Sequence, residues 1–209
     1  MDQTDARIAA VREVGADDIA VDIETPDGFD ARPGQFVKLT GEGESRFYTI
    51  SSPDVEGAFE VTIEVDPEGT LGPWLAGREP GDTVGVTGPF GNSYYENEPR
   101  VVVLAGGPGV GPAVGIGERA LADGGTAAVV YLDDSPVHEA RLAALADAGA
   151  DVFVLSGESG MEDAVRAAVT GEDGEQVFVY GFADFLDLAT TAIDAAGGDS
   201  ESAKVENFG

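Results

Sequence analysis

The chain has 209 residues, room for one to two domains of ordinary size. Forty Asp and Glu against 11 Lys and Arg leave a formal charge of -29, and a surface of that sign repels phosphate polyanions, which argues against nucleic-acid binding. Cysteine is absent, which excludes disulfides, thiolate zinc sites, cysteine nucleophiles and a cysteine-held iron–sulfur cluster within this chain.

Met1 to Arg12 has neither a basic start nor an apolar stretch, so no signal peptide is expected and a cytoplasmic location follows. Short strands are predicted at Ile8–Val14, Ile19–Glu24, Gln35–Leu39 and Phe47–Ile50. The next run alternates with period two, Phe59, Val61, Ile63 and Val65 on one side and Glu60, Thr62 and Glu64 on the other. A short helix is predicted over Pro73–Gly77 and a further strand over Thr83–Val86. Turn sequences separate these pieces: Thr25-Pro26-Asp27-Gly28, Arg32-Pro33-Gly34, Asp66-Pro67-Glu68-Gly69 and Glu79-Pro80-Gly81-Asp82. About six short antiparallel strands in fewer than 100 residues predict a small β-barrel or sandwich.

The rhythm changes across Gly88–Pro99. Beyond it, continuous apolar strands at Val101–Leu104, Ala127–Tyr131, Val152–Leu155 and Val177–Tyr180 alternate with helical patterns at Pro112–Leu121, His138–Ala148, Met161–Val169 and Phe182–Ala195. That succession predicts a doubly wound parallel α/β sheet. The expected architecture is therefore two domains: an N-terminal antiparallel β-barrel over residues 1–98 and a C-terminal α/β nucleotide-type domain over residues 99–209. The longest uncharged run, Val101–Gly117, holds six Gly and two Pro. It reads as a strand and a phosphate-type loop, and no membrane span is expected.

Two segments carry chemistry. In Leu104-Ala105-Gly106-Gly107-Pro108-Gly109-Val110-Gly111-Pro112, glycines follow a strand and open a helix, leaving backbone amides free for a pyrophosphate. The dinucleotide fingerprint Gly-x-Gly-x-x-Gly is not met, because Pro112 stands at its last place, where a first-turn proline needs no amide. The alternative is a tight turn that serves packing only. In Arg46-Phe47-Tyr48-Thr49-Ile50-Ser51-Ser52, alternation puts Arg46 and Tyr48 on one face and Phe47 and Thr49 on the other. An Arg fork can hold a phosphate, a Tyr face can stack, and hydroxyls can bond a heterocycle; the alternative is a surface ladder. The one histidine, His138, is expected at the surface in a polar helix, and no Asp-x-Asp-x-Asp-Gly spacing suggests a metal.

Arg-x-Tyr-Thr followed about 60 residues later by Gly-x-Gly-x-x-Pro resembles the ferredoxin–NADP reductase superfamily. Pro33-Gly34-Gln35-Phe36-Val37, Pro80-Gly81-Asp82-Thr83-Val84 with Gly88-Pro89-Phe90-Gly91, and Glu206-Asn207-Phe208-Gly209 resemble further family segments in the same order. The resemblance implies FAD in the barrel. Arg46 would face its pyrophosphate, Tyr48 would pack on the isoalloxazine, and Thr49, with Ile50 and Ser51 beside it, would lie near N5. Thr70, Leu71 and Gly72 match the family's flavin-phosphate segment, although Gly72 replaces a hydroxyl residue there. It implies a nicotinamide nucleotide over Gly107, Gly109, Val110 and Pro112, reaching Tyr180 and Gly181, where relatives often carry Cys-Gly. Phe208 would cover the flavin face, or else is an ordinary packed terminal aromatic.

The implied activity is an FAD-dependent NAD(P)H oxidoreductase that passes hydride from nicotinamide to flavin N5 and electrons onward to ferredoxin, a similar carrier or a small-molecule acceptor. A free-flavin or ferric reductase and a cluster-free electron-transfer subunit remain as alternatives. Asp133 and Asp134 end the second strand of the α/β half, where a carboxylate accepts from a ribose 2′-hydroxyl and repels a 2′-phosphate, favouring NADH over NADPH. Nine Arg against only Lys38 and Lys204, in so acidic a chain, match a halophile's protein, since a screening length of about 3 Å at 1 M salt makes self-repulsion harmless.

Overall fold

The computed structural model describes residues 2–209. The first half contains β1 (Thr4–Glu13), β2 (Asp18–Glu24), β3 (Phe36–Gly41), β4 (Glu44–Thr49), β5 (Ala58–Glu64), α1 (Leu71–Ala76) and β6 (Thr83–Phe90). The strands form one antiparallel sheet in the order β4-β3-β6-β1-β2-β5. A bridge between Ile50 and Val61 joins the two ends and closes it into a barrel. Inward residues of successive strands fill the barrel: Ile8, Val21, Ile23, Val37, Leu39, Val61 and Ile63 are all at most 1% exposed. Fully burying one such side chain stabilises the fold by roughly 1.5–3 kcal/mol.

The second half contains β7 (Arg100–Gly106), a 3₁₀ turn at Gly107–Gly109, α2 (Val110–Ala122), β8 (Thr126–Leu132), α3 (Glu139–Asp147), β9 (Asp151–Leu155), α4 (Met161–Ala168), β10 (Glu175–Gly181), α5 (Ala183–Ala195) and β11 (Lys204–Asn207). Its sheet is parallel, in the order β11-β10-β7-β8-β9. Alternation along β7 divides the core. Val101, Val103 and Ala105 pack with α2 and α3, and Val102 and Leu104 pack with α4 and α5. The chain runs outward from β7 through β8 and β9, then returns to β10 on the other side. The carboxyl ends of β7 and β10 therefore form a topological switch point, where sheets of this kind place their crevice.

β11 has no counterpart among the predicted elements. Lys204-Val205-Glu206-Asn207 is four residues of mixed polarity, without periodicity, and becomes a strand only by pairing with the edge of β10. The helix expected from Pro112 begins at Val110, so Pro112 sits inside the first turn, where its missing amide costs nothing. Among the described residues, no helix is long and apolar enough to cross a membrane.

Candidate functional site

A cleft of about 690 Å³ opens between the barrel and the switch point, within the ordinary range of ligand sites. The barrel contributes Phe36, Arg46, Phe47, Tyr48, Thr49, Thr62, Ile63, Glu64 and Asp66; the α/β half contributes Pro108, Phe182, Glu206, Asn207, Phe208 and Gly209. Arg46, Tyr48, Thr49 and Phe208 thus meet in one cavity although Thr49 and Phe208 are 159 positions apart in the chain. Residues from both faces of β4 line it. β4 is the terminal strand of the sheet order, so the cleft wraps around its edge rather than lying on one face.

Tyr48 is half-buried against the barrel core, and burial raises its phenol above the usual tyrosine range. Phe47 packs edge to face on Phe36 and Phe90, which are tilted to each other, with centroids 5.6 to 6.0 Å apart, and Phe47 keeps 61% of its surface exposed. Across the cleft, Phe208 packs edge-on to Phe182 at 6.1 Å and tilted to Tyr180 at 6.4 Å. Its amide donates to the Gly181 carbonyl at 3.1 Å, which holds the chain end over the cavity.

The donor set beside the cleft fits a phosphate. Arg46 Nε donates to Glu44 Oε1 at 2.8 Å, and this contact lowers the Glu44 carboxyl below its usual range, with the Thr70 hydroxyl and Leu71 amide acting in the same direction. The Arg46 guanidinium, held beside the start of α1, is thus a cationic donor of the kind a phosphate oxygen requires. Leu71 itself is fully buried and contributes only backbone. A Cβ at Gly72 would lie 3.6 Å from the Val65 Cα, so the position accommodates ordinary side-chain contact and its glycine is not demanded by crowding.

The glycines of the 105–112 loop divide into two kinds. A Cβ at Gly109 would enter the Tyr180 backbone, and one at Gly111 would lie 3.1 Å from Thr62 Oγ1. These two serve close packing against β10 and the barrel. Gly107 differs: its φ is +54° and the nearest atom to a Cβ would be Asp133 Oδ2 at 4.0 Å. Its surroundings are open, and its backbone is bare of side chain there. Val110 and Pro112 are buried. Asp133 is fixed at the end of β8, its carboxylate accepting from Tyr131 Oη at 3.1 Å and from the Ser135 amide at 2.8 Å.

Of the expected site residues, Arg46, Tyr48, Thr49 and Phe208 line the cavity, whereas Ile50, Ser51, Thr70, Leu71, Gly72, Gly107, Gly109, Val110, Pro112, Asp133, Tyr180 and Gly181 lie outside its lining. Ile50 and Tyr180 are fully buried. The Tyr180 hydroxyl donates to the Ser93 carbonyl in the segment joining the domains, and burial drives its ionisation well upward. The larger tyrosine thus finds its volume by reaching away from the cleft.

His138 corrects an expectation. It is 5% exposed rather than a surface residue, and its Nε2 lies 2.8 Å from Thr62 Oγ1 on the barrel. Burial, then the neighbouring Arg141, push its pKa down to about 4. A histidine beside charged residues reads as solvated in sequence; a second domain covering it leaves no local signal. Sequence reasoning likewise passed over Glu206, whose half-buried carboxyl is raised by desolvation, and Glu64, Asp66, Phe36, Phe47, Thr62 and Phe182. Glu206, Phe36 and Phe47 stand inside the quoted motifs without a role assigned to them, and Phe182 follows Gly181 at a strand's carboxyl end.

A closed antiparallel barrel joined to a parallel sheet, with a cleft at the switch point, is the two-domain fold of the ferredoxin reductases. It superposes on a ferredoxin NADP+ reductase from Neisseria gonorrhoeae with bound FAD and NADP at a TM-score of 0.79, 17% identity and 100% coverage of both chains. It also superposes on the Amycolatopsis cytochrome P450 reductase GcoB at 0.78, 22% identity, 99% of this chain and 70% of that one.

Within that fold, residues 6–95 match the family described as Oxidoreductase FAD-binding domain. That match covers the barrel. Over 90 residues the chain is 40% identical to a probable dihydroorotate dehydrogenase B (NAD(+)), electron transfer subunit, of Methanopyrus kandleri, covering 42% of this chain and 32% of that protein. Over 96 residues it is 36% identical to the sulfhydrogenase 1 subunit gamma of Pyrococcus furiosus, covering 44% and 32%. A human NADH-cytochrome b5 reductase-like protein is 34% identical over 92 residues, covering 41% and 29%. The match thus spans about a third of the length of these relatives.

Proposed function

We propose that the chain is an FAD-dependent NAD(P)H oxidoreductase that feeds electrons to a separate acceptor, a carrier protein such as ferredoxin or a small molecule. The observation that carries this reading is the convergence of Arg46, Tyr48, Thr49 and Phe208 on one interdomain cleft, in a chain whose first half matches an FAD-binding domain. Bound FAD supplies the redox chemistry, taking a hydride from the nicotinamide and releasing electrons onward.

The chain's residues hold and screen the reactants. Arg46, with the Thr70 hydroxyl and Leu71 amide, would take the flavin phosphate. Tyr48 offers an aromatic face and Thr49 a hydroxyl to the ring system. Gly107 would admit the nicotinamide nucleotide's pyrophosphate, and Asp133 would accept from its adenosine ribose, which favours NADH. Phe208 covers the cavity and excludes water until the nicotinamide takes its place. Glu206 also lines the cleft, and burial raises its carboxyl above the usual carboxylate range.

Two of the relatives bear the names of subunits in larger assemblies. That supports a second reading in which this chain is the electron-transfer subunit of a complex. The acidic composition supports a halophile's cytoplasm as its setting. An absorbance spectrum of protein purified in high salt, followed by anaerobic NADH and then NADPH, tests the proposal. A flavin band that bleaches faster with NADH is the expected result; protein that neither carries nor takes up FAD overturns it.

A further inference from the structure

The polar side of β5 faces the second domain. Glu60 is 7% exposed, and both its carboxylate oxygens are engaged: Oε2 by Arg12 at 2.7 Å, Oε1 by Ser51 Oγ at 2.8 Å and by Arg141 Nη1 at 2.8 Å. Arg141 stands on α3 of the α/β domain. Its Nη2 also donates to the Ser51 carbonyl at 2.7 Å, and its Nε and Nη2 each donate to the Glu118 carboxylate on α2 at 2.7 Å. One guanidinium thus ties two helices of one domain to β5 and to the segment just beyond β4 of the other.

The place it grips is specific. Ser51 follows Tyr48 and Thr49 by only three and two residues, and both of those line the cleft. The Ser51 amide already donates to the Glu60 carbonyl at 2.8 Å. Thr62, two residues beyond Glu60 and itself in the cleft lining, meets His138 from the same loop-and-helix segment as Arg141. Gly111 and Gly115 of α2 press on Ser51 and Thr62 as well. The two domains are therefore locked at the residues adjoining the flavin cleft, not at its periphery.

We propose that Arg141 is a positioning residue: by clamping the Ser51 carbonyl and the Glu60 carboxylate, it sets the orientation of the α/β domain over the flavin-facing end of β4, and so the stacking distance between nicotinamide and flavin. The inference rests on the flavin-reductase reading. Apolar contacts alone would hold the interface without the desolvation cost of buried charge; what the ion pairs add is direction, since a planar guanidinium accepts only one arrangement of its partners. A misplacement of about 1 Å between reacting groups can cost on the order of 100-fold in rate.

The test compares the parent with Arg141→Lys, which keeps the charge but cannot span all three acceptors, and with Glu60→Gln, which keeps the shape and is the fallback where Arg141→Lys fails to fold. Amide hydrogen exchange is measured without nucleotide, and anaerobic flavin bleaching is measured at saturating NADH. The expected result is exchange of the 50–52 amides faster by about tenfold. FAD content stays unchanged, KM for NADH stays within about threefold, and the saturated bleaching rate falls roughly 10- to 100-fold. An unchanged saturated rate overturns the proposal, as does a loss that merely follows lost FAD or a raised KM. If the parent itself is not bleached by NADH or NADPH, the functional reading fails instead. The exchange arm still decides whether Arg141 fastens the end of β4.

Discussion

At the scale of single residues, Glu44 holds the Arg46 guanidinium that the proposed flavin phosphate would use. Arg46→Ala removes the only cationic side chain lining the cleft, and FAD dissociation, followed by fluorescence of released flavin, is expected to rise by about tenfold or more. Glu44→Gln weakens the internal partner of Arg46, so FAD is expected to bind several-fold tighter by titration; weaker binding would show that the carboxylate assists rather than competes. His138 makes a pH prediction. Its pKa is about 4 when folded and about 6.5 in an unfolded chain. The unfolded state therefore takes up a proton that the folded state refuses, and stability is lost as pH falls from about 6.5 through about 4, by up to roughly 3 kcal/mol. The lowered Glu60 carboxyl acts in the same direction. Asp18, raised to about 6 chiefly by burial and then by Glu64, acts oppositely and offsets part of the loss. His138→Gln keeps a partner for Thr62 without proton uptake, so its unfolding midpoint measured from pH 7 to 4 should fall less steeply than the parent's.

At the scale of elements, α2 is the piece on which both domains lean. Its Gly115 faces the carbonyls of Ser51 and Ser52, and a Cβ there would stand 2.8 and 2.9 Å from those oxygens. Backbone cannot swing aside as a long side chain can. Gly115→Val should therefore push the domains apart, lowering the unfolding midpoint by an amount equivalent to about 1–3 kcal/mol and slowing flavin bleaching by NADH. A midpoint and rate equal to the parent's would show that the interface has slack. The barrel strands and the β7-turn-α2 unit were legible in sequence because each carries its own periodicity or turn chemistry. β11 was not, since four residues find their conformation only from the edge of β10.

At the scale of the whole molecule, charge decides the working conditions. The cleft lining holds Glu64, Asp66 and Glu206 against Arg46 alone, inside a chain of formal charge -29. Both proposed cofactors are anionic. Salt normally weakens the binding of an anion to a cationic site, but here it screens a net repulsion. The Debye length falls from about 10 Å at 0.1 M to about 3 Å at 1 M. Raising KCl across that range should raise the unfolding midpoint and lower KM for NADH together. A KM that climbs with salt would indicate that the nucleotide sees chiefly cationic groups, contrary to the lining described.

The amino-acid sequence alone determined the two-domain architecture, the strand that bears Arg46, Tyr48 and Thr49, and the glycine turn before α2, because all of these are written in local period, turn residues and spacing. Only the tertiary structure decided which glycines pack and which lies open, why both faces of β4 reach one cleft, and that Glu60, Thr62, His138 and Arg141 are buried together. On paper those four read as the solvated residues of a strand and a polar helix. Their role arises from one domain covering the other, and a contact between positions some 80 residues apart leaves no trace in the neighbours of either.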